Sequence, residues 1–358
     1  MKIMIAAGGT GGHIYPALAL ADEIRKKDKN AEVVFFGSSN RMEAKIIPQA
    51  GYRFYGTAMS GMNGGLLAKA ASAVSLLKAD ALCHKILKKE KPDMVIGFGN
   101  YISVPMVAAA HRMGIKTMLH EQNSYAGKAN RFLAKYADGI VGCYASNLDQ
   151  FPKEKTKILG NPQASAAALT VYDQSEIEKT GLDPEKPFVL IMMGSLGSVS
   201  VSKYIDEACS LFDDSYSVVI AAGRSNDYVF ENAKRDNIRV LPYVNGRNLL
   251  KGCALAVVRA GATTMAEIGA IGTASILIPS PYVPNHHQFH NAMELVDQDA
   301  GVLLEEKDLS RKKLAEMVNE LMKDEKRRKT LADNCRKCGK PDAADDMIAM
   351  MKEIMDRG

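Results

Sequence analysis

The 358-residue chain is predicted to be an α/β protein built from two doubly wound, parallel-sheet domains with an interdomain cleft. Three observations predict it. The length exceeds one ordinary core and suits two of about 150 residues each. Short apolar runs alternate with helix-like stretches along the whole chain, and the second half repeats the plan of the first, each half opening on a strand that runs straight into glycines. A composition of 47% hydrophobic and 24% charged residues is that of a soluble globular protein and excludes the disordered and fibrous classes.

In the first half, Lys2 to Ala7 reads as a buried strand, Gly8 to Gly12 as a tight turn, and Ile14 to Lys27 as a helix with apolar positions at helical spacing. Pro16 suits the first turn of that helix, where a missing N–H costs nothing. Strands are expected at 32–36, 94–97, 117–120 and 139–142, with a helix such as 104–113 between them. Strand and helix keep alternating, so the sheet should be parallel. A second series follows Gly160-Asn161-Pro162, with strands expected at 188–192, 217–221, 238–241, 254–258 and 275–278. The final amphipathic helix, Ala343 to Met355, has enough Met and Ile to pack back on either domain. The expected division is 1–162, 163–341 and a C-terminal helix at 342–358 returning to the N-terminal domain.

The 46 Lys plus Arg against 41 Asp plus Glu leave a net charge of +5 spread over the whole chain. Basic clusters such as Arg25-Lys26-Lys27 lack the interleaved aromatics on which single-stranded nucleic acid would stack, and read first as solvated helix faces. Six scattered cysteines form no disulfide framework, so a reducing compartment fits, and Cys335 and Cys338 read as helix neighbours rather than zinc ligands. The apolar run after Met1 is too short for a signal peptide. The stretch from Leu66 to Cys83 is interrupted by Lys69, Lys78 and Asp80 and cannot span a bilayer, so any membrane contact is expected to be peripheral.

In a doubly wound sheet ligands bind beyond the carboxyl ends of the strands, and several loops there are unusually polar. Gly8-Gly9-Thr10-Gly11-Gly12-His13 lets the backbone approach a ligand and aims helix N-terminal amides at an anion. It is neither a dinucleotide fingerprint, because Ile14 stands where the third glycine belongs, nor a P-loop, which needs a lysine. His13 reads as a general base or as a helix-capping histidine. His120-Glu121-Gln122-Asn123 is poor core material and good ligand material, or an interdomain hydrogen-bond network. Arg259 to Glu267 follows a strand and opens a helix, offering amides to a diphosphate and a carboxylate to two ribose hydroxyls. His286, His287 and His290 follow prolines that suggest a loop, with no acidic partner adjacent, so no metal site is expected.

These residues, together with Gly97 to Pro105, Gly160-Asn161-Pro162, Gln288 and Asn291, resemble in order and spacing the lipid II-forming N-acetylglucosaminyltransferases of bacterial cell-wall synthesis, within glycosyltransferase family 28. The resemblance runs nearly end to end. It implies a GT-B fold of two Rossmann-like domains, the acceptor held by the first and the UDP-sugar mainly by the second. It also implies inverting transfer of N-acetylglucosamine from its UDP derivative to the 4-hydroxyl of undecaprenyl-pyrophosphoryl-MurNAc-pentapeptide. His13 would be the base, with Glu121 orienting or replacing it, and Tyr101 and His120 would lie on the acceptor side. Thr10, Gly11, Gly12, Asn123, Ser195, Val244, Ala262, Thr263, Thr264, Met265, Ala266, Glu267 and Gln288 would hold the donor, Glu267 through the ribose and Val244 through uracil.

The resemblance implies no protein-bound cofactor or metal, any divalent cation being associated with the lipid pyrophosphate. The implied partners are UDP-N-acetylglucosamine, the muramyl lipid, an anionic membrane surface at the cytoplasmic face of the plasma membrane, and other cell-wall synthesis and division proteins, with no nucleic acid. Leu66, Leu67, Val74, Leu76 and Leu77, edged by Lys69 and Lys78, read as the membrane patch or as a core helix. The family usually has glycine at Asn100, glutamine at Leu196 and His287, serine at Ala260, and an arginine near Ala164, which bears on donor affinity. A diacylglycerol glycolipid synthase of the same fold, a non-catalytic UDP-sugar-binding paralogue and a UDP-sugar epimerase are the rival readings.

Overall fold

The computed structural model describes residues 1–59, 66–194, 197–223 and 226–357, without the side chains of 66–74, 76 and 77. The first sheet has seven parallel strands: β1 (Lys2–Ala6), β2 (Glu32–Ser38), β3 (Arg53–Thr57), β4 (Met94–Gly97), β5 (Lys116–Glu121), β6 (Gly139–Gly142) and β7 (Thr156–Ile158). Their order is β3-β2-β1-β4-β5-β6-β7, so Ile5 pairs with Phe35 on one side and Ile96 on the other. Helices α1 (Gly11–Lys27), α2 (Glu43–Gln49), α3 (Leu66–Glu90), α4 (Asn100–Arg112) and α5 (Lys128–Leu133) lie between them, and α6 (Pro162–Ala168) follows β7. The central strands are apolar on both faces because both are covered, as all-parallel sheets require.

The second sheet has six parallel strands in the order β10-β9-β8-β11-β12-β13. They are β8 (Phe188–Met192), β9 (Ser217–Ala221), β10 (Ile238–Leu241), β11 (Leu255–Val258), β12 (Ser275–Leu277) and β13 (Val302–Leu303). Its helices are α7 (Ser175–Glu178), α8 (Val199–Cys209), α9 (Gly246–Gly252), α10 (Ala262–Ile271), α11 (His287–Val296), α12 (Arg311–Lys323) and α13 (Glu325–Cys338). In both sheets the chain reverses direction beside the first strand, between β1 and β4 and between β8 and β11, and the loops leaving those strands diverge into a crevice.

The chain divides into 1–165 with 342–358, and 166–341, so the break falls inside α6 rather than at residue 162. The closing helix α14 (Ala343–Asp356) belongs to the first unit: Met347, Ile348, Met350, Met351 and Ile354 are buried in the core that holds Ile5, Ile14 and Phe35. It lies so close on β6 that a Cβ at Gly139 would collide with Ile354. Strands β3, β7 and β13, which the sequence reading misses, are short edge or near-edge strands with weak apolar patterning. The helix α11 begins at His287, where a loop was expected, because the last of the preceding prolines, Pro284, falls in the turn at 284–286, which has Asn285 and His286 at positive φ.

Candidate active site

The turn between β1 and α1 begins with Gly9 at φ +87, a conformation closed to most side chains. The turn brings Thr10 Oγ1 to 2.8 Å from His13 Nδ1, and the His13 N–H donates to the Thr10 carbonyl at 3.1 Å. The ring rests against Gly99, in the loop after β4. The Thr10 contact sets the orientation of the imidazole at the head of α1. Thr10 is exposed, and Gly11, Gly12 and His13 are half-buried at the head of α1. The structure therefore gathers the first-domain turn residues and the start of α4, which carries Tyr101, at the carboxyl ends of adjacent strands. Tyr101 is half-buried, with its hydroxyl donating to the Met59 carbonyl at 3.5 Å.

Two of the expected roles are corrected. Glu121 is 2% exposed, and its carboxylate accepts from four N–H groups. Asn123 N and Nδ2 approach Oε1 at 3.1 and 3.4 Å, and Gly127 N and Asn130 Nδ2 approach Oε2 at 3.0 and 2.9 Å. Burial pushes its carboxyl above the ordinary range while the N–H donors pull it back. A carboxylate so occupied organises the 121–127 loop and is not placed as a base. His120 is fully buried, stacked 4.9 Å from the Phe98 ring, with Nε2 3.1 Å from the Gly160 carbonyl. Burial lowers its pKa to about 4, so it is neutral at physiological pH and walled off from an acceptor.

The same loop is pinned by residues that the sequence reading passed over. Asn147 Nδ2 donates to the carbonyls of Asn123 and Ser124, Asn147 Oδ1 accepts from Cys143 N, and Gln150 Nε2 donates to Ser124 O. Asn123 is thereby fixed in place as a half-buried member of this network. Asparagine and glutamine far along the chain carry no spacing signal, which is why they were missed.

In the second unit the turn after β11 leads into α10 through Gly261 and Ala262. Met265 is buried in the core, so only its backbone is available to a ligand, and Thr263 Oγ1 is buried without a hydrogen-bond partner. Thr264 and Ala266 are half-buried. The Glu267 side chain is 14% exposed and has Arg247, 3.5 Å away at the start of α9, as its ion-pair partner. Desolvation raises its pKa to about 7 against the pull of Arg247. Arg247 is a further site residue that sequence reasoning missed. Val244 is half-buried in the loop entering α9, and Gln288 Oε1 accepts from Ser280 N at 2.9 Å. Ser195 and Leu196 lie outside the described residues.

Arg259, at the head of the same turn, is turned away from it. Its guanidinium donates to Ile278 O, Glu306 Oε2 and Ser198 Oγ at 3.1, 2.8 and 2.9 Å, which ties the loops after β8, β11 and β12 together. Glu306 also lines a cavity of about 670 Å³ shared with Tyr282, His286, His290 and Lys307.

Both halves match family models. Residues 3–141 match the glycosyltransferase family 28 N-terminal domain, and residues 188–347 match its C-terminal domain. The chain is 37% identical to the UDP-N-acetylglucosamine--N-acetylmuramyl-(pentapeptide) pyrophosphoryl-undecaprenol N-acetylglucosamine transferase of Pediococcus pentosaceus, over 99% of each chain. It is 40% identical to the protein of the same name from Leuconostoc citreum, again over 99% of each. Among solved structures it superposes on MurG of Acinetobacter baumannii with a TM-score of 0.79 at 24% identity, covering 98% of this chain and 99% of that one, a likeness that shows the GT-B fold. The UDP-GlcNAc 2-epimerase of Neisseria meningitidis shares that fold at a TM-score of 0.69 and 12% identity, over 99% and 100% of the two chains.

Proposed function

The chain belongs to glycosyltransferase family 28, and from that membership we propose that it transfers N-acetylglucosamine from UDP-N-acetylglucosamine to the 4-hydroxyl of the muramyl sugar in undecaprenyl-pyrophosphoryl-MurNAc-pentapeptide, with inversion. The observation that carries this reading is Glu267: a desolvated carboxyl, poor in donors, past the first turn of a helix whose N-terminal amides suit a diphosphate. Ribose hydroxyls would supply the donors that the fold withholds, and the amides of 262–264 would meet the charge that grows on the departing UDP. Thr10, Gly11, Gly12 and Asn123 from the first unit, and Ser195, Val244, Gln288 and the 262–267 turn from the second, are the proposed donor contacts.

His13 is the proposed base. As the acceptor hydroxyl attacks C1, Nε2 takes its proton while Thr10 holds Nδ1, and the glycosidic C–O bond to UDP breaks with its electron pair on the phosphate. Tyr101 remains the proposed acceptor contact. A divalent cation, where one takes part, would ride on the lipid pyrophosphate.

A lipid-borne acceptor requires a membrane surface. No helix among the described residues is long and apolar enough to cross a bilayer, so we place contact at the periphery of the cytoplasmic leaflet. The apolar side chains first considered for it, at 66, 67, 74, 76 and 77, lie outside the described ones. Support comes from α5, where Phe132 is 49% exposed with Lys135 Nζ 5.0 Å from its ring centre and Lys128 and Arg131 beside it in sequence, both exposed. An exposed aromatic with a cation over its ring and further basic residues on the same short helix suits an anionic surface. Cosedimentation with phosphatidylglycerol vesicles should weaken severalfold in Phe132→Ser with Lys135→Ser, and unchanged binding would remove this face from the reading.

The activity is tested with radiolabelled UDP-N-acetylglucosamine and a short-chain analogue of the muramyl lipid. The β-1,4-linked disaccharide lipid is the expected product. Transfer to diacylglycerol, or donor binding without turnover, would overturn the assignment.

A further inference from the structure

The glycine turn that carries Thr10 and His13 is gripped from two sides by residues outside every role assigned above. Glu43, the first residue of α2, is fully buried. One carboxylate oxygen accepts from the Gly9 N–H at 3.1 Å and the other from the Ser38 N–H at 3.0 Å, so the side chain clips the β1–α1 turn to the end of β2. On the opposite side Asn100 Nδ2 donates to the Gly8 carbonyl at 3.3 Å, while its Oδ1 accepts from Tyr101 N at 2.7 Å. Asn100 stands at φ +64, one of the few left-handed non-glycine residues in the chain, and asparagine tolerates that region better than most side chains. The Gly9 Cα lies so near the Asn100 amide that any Cβ there would collide with it. A single peptide group, the Gly8–Gly9 amide, is thus held at its N–H by Glu43 from α2 and at its carbonyl by Asn100 from α4.

We propose that Glu43 and Asn100 are positioning residues that set the aim of His13 by clamping the Gly8–Gly9 peptide from both ends. The proposal rests on the transferase reading and deepens it. Thr10 follows the clamped peptide immediately and its Oγ1 holds His13 Nδ1, so a turn released at the Gly8–Gly9 peptide would let the imidazole swing. Displacements of that kind cost rate rather than ground-state binding. The Asn100 amide also links this turn to Tyr101, so it couples the base to the proposed acceptor contact.

The test is steady-state kinetics on the full chain for wild type, Glu43→Gln and Asn100→Gly, each repeated in a His13→Ala background. Glutamine keeps the shape of Glu43 but must turn an NH2 toward one of the two N–H donors. Glycine fits φ +64 without strain and removes the bond to the Gly8 carbonyl together with the one from Tyr101 N. The expected result is a fall in kcat of about tenfold in Glu43→Gln and about threefold in Asn100→Gly, with donor and acceptor KM within about twofold. In the His13→Ala background both losses should vanish, because a clamp that acts through His13 has nothing left to aim. Unchanged kcat, or equal losses in the two backgrounds, would overturn the proposal. If Glu43→Gln does not fold, Asn100→Gly decides. A wild-type chain without turnover would sink the transferase reading instead, and amide hydrogen exchange of residues 8–13 would then judge the clamp: faster exchange in the two variants supports it, and identical exchange refutes it.

Discussion

Two glutamates, Glu121 buried in the first unit and Glu267 half-buried in the second, lie at or beyond the carboxyl ends of core strands, and desolvation raises the proton affinity of both. Their surroundings differ. Four N–H groups surround Glu121, from Asn123, Gly127 and Asn130, whereas Glu267 has the Arg247 guanidinium at 3.5 Å. A buried carboxylate whose acceptor positions are filled by its own chain has finished its chemistry in folding; one left short of donors is completed by something else. The difference separates scaffold from ligand site more sharply than residue type or position in the chain, since both residues follow strands in polar runs.

The largest expected effect comes from Glu267. Glu267→Ala should weaken donor binding by about 10- to 100-fold, the worth of hydrogen bonds to a charged acceptor, with the melting temperature held or raised. Isothermal titration with UDP-N-acetylglucosamine measures it, and a donor Kd within twofold of wild type would break the comparison. Glu121→Gln should do the reverse. It sets an NH2 among N–H donors, costs about 1.5 kcal/mol and lowers the thermal midpoint by about 3–6 °C, with donor Kd little changed.

The acid–base behaviour sharpens the contrast. Glu267, lifted to about 7 by desolvation, is mostly protonated at pH 6 and mostly ionised at pH 8. If the ionised form accepts the ribose hydroxyls, donor affinity should rise by up to about tenfold across that interval. Glu267→Gln should abolish the trend. The smallest effect belongs to Arg247, which pulls the Glu267 pKa down. Arg247→Ala should move the midpoint of the donor-binding profile upward and weaken binding about threefold at pH 7, readable from the same titrations.

The architecture was legible because the central strands are apolar runs bounded by glycine or polar residues, as at Met94 to Gly97 and Phe188 to Met192. β13, with two residues and one neighbour, gives no such run. The places where polar residues crowd a strand end were legible too. What each residue does there was not, because the deciding partners are distant in sequence. Glu43 reaches Gly9 across 34 positions, and Asn147 reaches Asn123 across 24. Glu43 reads in the sequence as an ordinary acidic residue opening a helix. His120 and Glu121 read as ligand material because polar side chains seldom enter cores, yet Phe98, Gly160, Asn130 and the 123–127 amides make a core that accommodates both.

The return of α14 to the first unit sets an order on how the protein can be made. A ribosome delivers residues 1–165 early, yet the wall formed by Met347, Met351 and Ile354 over Ile5, Ile14 and Gly139 emerges only after the whole second unit has been translated. Until then the earliest-made core has an open apolar side, so the second unit can finish folding during synthesis while the first waits for the last stretch of chain. A stop codon shortly before residue 342 would therefore damage the half of the molecule farthest from it in the gene.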